Sequence, residues 1–376
     1  MNAHLESIAR HFRFEGSFAR AERIPSGHIN DSYVVSSDLP DRRHLRYLVQ
    51  RINHHVFRDP EALMANFQLV TGHLRRRISA SGGNPDRQTM TLIPTVDGGS
   101  FLKTPAGEYW RAMRFVEGAS IGPGAARPDQ VYHTARAFGQ FLNWLADLSP
   151  DLLHETVAGF HHTPRRFADL ASAVERDPTN RAALVRPEIA FAEQRVGQAS
   201  TLTALREAGH LPARVTHNDS KLDNVLLDGQ TGRALCVIDL DTVMPGLVHY
   251  DFGDMVRSAA SASTEDERDL SRVGLDLGVF ARLVAGYLSA TRDILTPLEV
   301  EHLAFSARLL TLECGVRFLT DYLDGDRYFR IHRPDHNLDR CRTQFQLVRD
   351  MERQFDQMLQ IVDRHRLAEQ EPPPGG

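Results

Sequence analysis

Residues 215–241 read VTHNDSKLDNVLLDGQTGRALCVIDLD, and the alternation of apolar and turn residues in them predicts a hairpin. Val225, Leu226 and Leu227 form one apolar strand, Asp228 to Gly232 supply turn chemistry, and Ala234 to Ile238 form the returning strand. An antiparallel return carries the end of its second strand back to the start of the first. Asp239 is therefore expected at the same end as Asn224, which follows Asp219 by five residues. Asp219 itself falls in a short loop after Val215.

One carboxylate in a loop, a carboxamide and a second carboxylate are the oxygen groups that phosphoryl transfer to a hydroxyl requires. The first orients the attacking hydroxyl and takes its proton; the others hold magnesium against nucleotide phosphates. Asp219 is the expected base, with Asn224 and Asp239 as expected metal ligands. A bare His-x-Asp carries little information, but its coincidence with the asparagine, the turn and Ile238-Asp239 carries much more. His217 is expected to buttress the loop by hydrogen bonding. Asp241 is open: it could join the metal, reach a substrate or cap a turn.

The order His-x-Asp, Asn, Ile-Asp resembles the aminoglycoside phosphotransferase and choline kinase branch of the protein-kinase-like fold. Within that branch THNDSKLDNVLLD, VIDLDTVMPG, DFGDMVR, LECGVRFLTDYLDGDRYF, GHINDSYVV and HNLDRCRTQ resemble the N-acetylhexosamine 1-kinases, a family of bacterial sugar kinases. The resemblance implies an α+β, two-lobed kinase with a strand-rich first lobe and a mainly helical second. It also implies transfer of the ATP γ-phosphate, with Mg2+, to the anomeric hydroxyl of an amino sugar.

Asp251-Phe252-Gly253 spells the protein-kinase metal motif, but it lies twelve residues past Asp239 and follows no apolar strand. It reads as the entry to a helix beginning near Asp254, with both aspartates structural.

Towards the N-terminus, Leu5, Ile8 and Phe12 mark an opening helix, and strand character follows around Phe18, Ser32 to Val35 and Leu45 to Ile52. His28, in the loop between the first two strands, is a candidate for substrate contact. The next helix has Asp59 as cap, Pro60 first and Arg75 to Arg77 in its last turn, with Leu63, Phe67, Val70 and Leu74 on one face. Glu61 stands where a protein kinase carries its ion-pairing glutamate. Arg51 is the candidate phosphate donor in place of a lysine, although alternation leaves open whether Gln50 or Arg51 faces the nucleotide. Trp110 to Phe115 reads as a strand, and the resemblance implies an adenine-binding hinge at Phe115 and Val116.

The stretch Gly118 to Pro128 is the expected boundary, giving a nucleotide lobe over 1–118, a catalytic and acceptor lobe over 119–370 and a disordered tail over 371–376. Val131, Ala135, Phe138, Leu142 and Leu145 then recur on one helical face.

On the helix expected over Leu309 to Leu323, Glu313, Arg317 and Asp321 repeat every four residues, as a surface salt-bridge ladder would. The resemblance instead gives Arg317, with Tyr328, to the sugar. Between Asp321 and Arg342 five aspartates (321, 324, 326, 335, 339) are balanced by five arginines (327, 330, 333, 340, 342), which suits a neutral acceptor better than a polycation.

Composition agrees with these expectations without naming a function. The 376 residues, 41% hydrophobic and 25% charged, suffice for two cores. A net charge of -5 argues against sequence-independent nucleic-acid binding. Cys236, Cys314 and Cys341 support neither a disulfide framework nor a zinc site, and the opening MNAHLESIARHF has no long apolar run, so a reducing, cytoplasmic setting without membrane insertion is expected.

Overall fold

The computed structural model describes residues 2–24, 29–121, 128–261 and 263–367. The chain forms two compact units, one of Met1–Ser120, Asp147–Ala158 and Leu226–Met244, the other of Ile121–Ala146, Gly159–Val225 and Pro245–Gly376. The expected tail over 371–376, like His28, lies outside the described residues.

The first unit is built on an antiparallel sheet of β1 (Ser17–Arg23), β2 (Asp31–Asp38), β3 (His44–Ile52), β4 (Leu92–Ile93), β5 (Leu102–Lys103) and β6 (Tyr109–Arg114). The order is β1-β2-β3-β6-β4, with β5 also on β6. Strand alternation divides its faces. Val35, Val49, Trp110 and Ala112 are buried with Leu5, Ile8 and Phe12, the apolar stripe at the N-terminus. The helix there ends at Ala9, and Phe12 instead bridges to Thr95. On the opposite face, the register sets Ser32 against Gln50 and Gln50 against Arg111, a polar row across three strands.

The helix Pro60–Ala80 starts as its sequence requires: the Asp59 carboxylate accepts from the Ala62 amide and Pro60 occupies the first turn. Leu63, Phe67, Val70 and Leu74 are buried along one side. Val225–Asp228 and Ala234–Val237 pair as the expected hairpin, and Asp228 Oδ1 accepts from the Gln230 and Thr231 amides to close its turn.

The second unit is mainly helical. Leu303–Leu323 is its central helix, packed by Val248–Ala259, His336–Arg353 and Thr163–Arg176, while Pro128–Trp144 lies against Leu277–Thr291. The helix expected near Asp254 begins six residues earlier, at Val248. No side chain caps it, because Leu247 at the cap position has no acceptor, and Asp251 and Asp254 lie inside the helix with their carboxylates engaged elsewhere. Gly253 has a packing reason: a Cβ there would stand 2.7 Å from the Ser306 carbonyl of the central helix. Among the described residues no helix is long and apolar enough to cross a membrane.

Candidate active site

In the second unit the loop after the strand Arg214–Thr216 is held from beneath. Asp251 is fully buried, and its carboxylate accepts from the His217 amide at 3.0 Å and the Asn218 amide at 2.6 Å. Ser220 Oγ donates to the Asp251 carbonyl at 2.5 Å. Asn218 adopts a left-handed backbone, φ 64°, which asparagine tolerates better than most residues. Gly246 allows the close pass: a Cβ there would collide with Thr216 Oγ1 and Asn218 Oδ1. His217 is buried edge-on against Phe138 and Phe141, and its Nδ1 accepts from the Asp219 amide at 3.3 Å, which assigns the ring proton to Nε2. It is a support of the loop.

Asp219 is thereby presented with both carboxylate oxygens engaged. Asn224 Nδ2 donates to Oδ2 at 3.1 Å, and to the Asp219 carbonyl at 2.7 Å, while Lys221 Nζ stands 3.2 Å from Oδ1. Burial works against the charge, but the Lys221 ammonium, with further cationic groups around it such as Arg257, keeps the carboxyl below its ordinary range. The same pairing pushes the Lys221 ammonium well up against its own burial. With Nδ2 committed to Asp219, no described residue donates to Asn224 Oδ1, which is left as a hard oxygen donor. That fits magnesium, which takes few protein ligands; no cluster of three or more His, Cys, Asp or Glu suited to a metal occurs among the described residues. Asp239 belongs to the first unit, at the end of the hairpin in a left-handed backbone, φ 61°.

Glu313, Arg317 and Asp321 do not form a ladder. Glu313 is buried and bound by His161 Nδ1 at 2.8 Å and Thr163 Oγ1 at 2.6 Å. Asp321 accepts from the Arg327, Tyr328 and Phe329 amides at 2.8–2.9 Å and from Asn337 Nδ2. Arg317, half-buried, makes no hydrogen bond or ion pair among the described residues, although the Glu313 carboxylate one turn earlier attracts it electrostatically. Its guanidinium lies 5.2 Å from the Phe160 ring, 5.5 Å from Phe329 and 5.9 Å from the 60%-exposed Tyr328. Arg166 donates to the Phe160 carbonyl at 2.8 Å.

In the first unit, alternation assigns Gln50 and Arg51 to opposite faces. Arg51 is on the face of Val49 and Trp110, bonded to Asp31 and Glu108. Gln50 shares its face with Arg111, which is 1% exposed and bonds Gln50 Oε1 at 2.8 and 3.0 Å. Arg111 also grips both oxygens of Asp241, at 2.5 and 2.9 Å, and Asn30 Nδ2 adds a third bond at 2.6 Å. Asp241 is thus a buried anchor. Glu61 is exposed and pairs with Lys103 at 3.7 Å; Asn66 is the polar residue that this helix turns inward, bonding the His154 and Val243 carbonyls. At the expected hinge the Phe115 amide donates to the Arg46 carbonyl, whereas the amide and carbonyl of Val116 have no partner among the described residues.

Three residues of this arrangement were not singled out by the sequence. Lys221 had a signal, two positions after Asp219 in the quoted stretch. Arg111 needed the register of β3 against β6, which is non-local, and nothing distinguished His161 from other loop histidines.

The model of the phosphotransferase enzyme family, APH, matches residues 20–290, and the chain belongs to that family. Among solved structures it is similar to an aminoglycoside phosphotransferase from Alicyclobacillus acidocaldarius, with TM-score 0.63 and 13% identity over 95% of this chain and 96% of that one. It is also similar to choline kinase from Cryptosporidium parvum, with TM-score 0.58 and 14% identity over 96% and 98% of the two chains. An amicoumacin kinase in complex with AMP-PNP, Ca2+ and Ami aligns with TM-score 0.57 and 11% identity over 92% of each chain. The fold is protein-kinase-like, with a strand-rich N-terminal sheet and a helical C-terminal part.

Proposed function

We propose that this chain is a kinase that transfers the γ-phosphoryl group of ATP to the anomeric hydroxyl of N-acetylglucosamine or N-acetylgalactosamine, giving the sugar 1-phosphate. The observation that carries the transfer is the Asp219 carboxylate, kept ionised by Lys221 and oriented by Asn224 on a loop locked by Asp251. In this reading Asp219 accepts the proton of the attacking hydroxyl. Asn224 Oδ1 would serve as one oxygen ligand of magnesium and the Asp239 carboxylate, as the sequence motif proposes, as another, and the ion would offset phosphate charge. The open amide and carbonyl of Val116, beside Phe115, suit the hydrogen-bonding edge of adenine. Arg51 could reach phosphate only by leaving Asp31 and Glu108. Arg111, on the face of Gln50, is likewise committed, to Asp241 and Gln50.

The choice of acceptor rests on Arg317. A guanidinium with no carboxylate bonded to it, beside aromatic rings and near Arg166, disfavours cationic acceptors such as aminoglycosides or choline. It can donate in a fork to neutral hydroxyls or a carbonyl, and aromatic rings suit the apolar faces of a sugar. The sequence blocks that resemble N-acetylhexosamine 1-kinases point the same way, with His28 and Tyr328 as further proposed acceptor contacts. Turnover of ATP with magnesium over a panel of free hexosamines, choline, homoserine and aminoglycosides tests this. Preferred turnover of an N-acetylhexosamine is expected; preference for a cation overturns the acceptor, and nucleotide binding without turnover of any acceptor indicates a non-catalytic module.

A further inference from the structure

One buried histidine outside the transfer machinery touches the backbone on which Asp219 stands. His161 is 7% exposed, on the segment before the helix Thr163–Arg176. Its Nε2 lies 2.8 Å from the Asn218 carbonyl, its Nδ1 lies 2.8 Å from Glu313 Oε1, and its ring packs on Phe160 and Tyr250. A carbonyl oxygen only accepts, so Nε2 carries a hydrogen. The Glu313 side shares the other proton of the pair, and the Glu313 carboxylate holds the ring from tilting, itself fixed by Thr163.

The Asn218 carbonyl and the Asp219 amide belong to a single peptide plane. His161 holds the oxygen of that plane and His217 Nδ1 holds its N–H, while the preceding amide is held by Asp251. A peptide pinned at both ends cannot rotate about the left-handed Asn218, and the direction of the Asp219 side chain follows from it. We infer that His161, oriented by Glu313, is a positioning residue that aims the Asp219 carboxylate at the acceptor hydroxyl. Glu313 stands one helical turn before Arg317 on the same helix. The pair thereby ties the acceptor-contacting helix to the loop of the base.

This inference rests on Asp219 being the base of a kinase, and its test separates the two. Steady-state kinetics are measured with ATP and N-acetylglucosamine for wild type, His161→Ala, His161→Gln and Asp219→Asn, each checked for a cooperative thermal transition. His161→Ala should lower kcat by about 10- to 100-fold, the usual effect of a misaimed group, with both KM values within about 3-fold. His161→Gln, which can still donate to the Asn218 carbonyl, should recover most of kcat. A folded His161→Ala with normal kcat, or a His161→Gln no better than alanine, overturns the inference while Asp219→Asn remains inactive. Full turnover by Asp219→Asn instead faults the kinase reading itself. If His161→Ala does not fold, His161→Phe combined with Glu313→Gln fills the space, leaves no buried charge unpaired and lacks the donor, and it is held to the same kcat criterion.

Discussion

Asp219 owes its readiness to two neighbours in its own loop. Lys221 favours its ionised form and Asn224 sets its orientation, so the proposed base is prepared before any acceptor arrives. Asp219→Asn should reduce kcat by about 10²–10⁴-fold, the usual worth of general-base catalysis, without loss of fold. Retention of more than about a tenth of kcat in steady-state assays would remove it from that role. Lys221→Met leaves the carboxylate buried without its cation, so the acid limb of kcat/KM should move to higher pH; an unchanged profile refutes the pairing. Arg317→Ala should raise KM for N-acetylglucosamine or lower kcat by roughly 10- to 150-fold, equivalent to a charge-assisted hydrogen bond of about 1.5–3 kcal/mol. Since Arg317 supports no ladder, little stability should be lost. A variant with normal sugar kinetics excludes acceptor contact.

At the scale of elements, the structure shows which parts of the sequence speak for themselves. The helix Pro60–Ala80 was legible because its cap, its proline and its apolar stripe are local signals. The 225–237 hairpin was legible for the same reason. The salt-bridge ladder, the reading of the spacing alone, does not form, since a helical repeat of charges does not reveal that His161 and Thr163 reach Glu313 from another segment. The faces of Gln50 and Arg51 stayed open until the register placed Arg111 beside Gln50. That row of β2, β3 and β6 ends in the buried Arg111–Asp241 pair. Arg111→Met should cost about 3–5 kcal/mol in denaturant unfolding, because Asp241 is left buried without its cation. Adding Asp241→Asn should return much of it; equal losses for the single and double variants contradict the pairing.

Over the whole molecule, both units are discontinuous along the chain, and no composition shift signals the return of Asp147–Ala158 and Leu226–Met244 to the first. Stability carries a pH dependence from the second unit. His249 is buried with Nε2 against the Glu299 carbonyl, and burial pushes its imidazole down to about 4. An unfolded histidine titrates near 6.5, so between about pH 6.5 and 4 the unfolded chain binds the extra proton and stability falls as pH falls. At pH 5 this amounts to about 2 kcal/mol. His249→Gln should lose less Tm than wild type between pH 6.5 and 5, and an equal loss assigns the acid sensitivity to other groups.

The site of phosphorylation joins the proposed base, the proposed acceptor and the family membership in a single observable. Phosphorus NMR of a reaction containing the wild-type chain, magnesium-ATP and N-acetylglucosamine should show growth of a sugar 1-phosphate signal coupled to the anomeric proton, matched by ADP, and none with Asp219→Asn. ATP consumed with phosphate placed on another hydroxyl, or no phosphosugar formed by a chain that turns over a cationic alcohol, contradicts anomeric transfer to an N-acetylhexosamine.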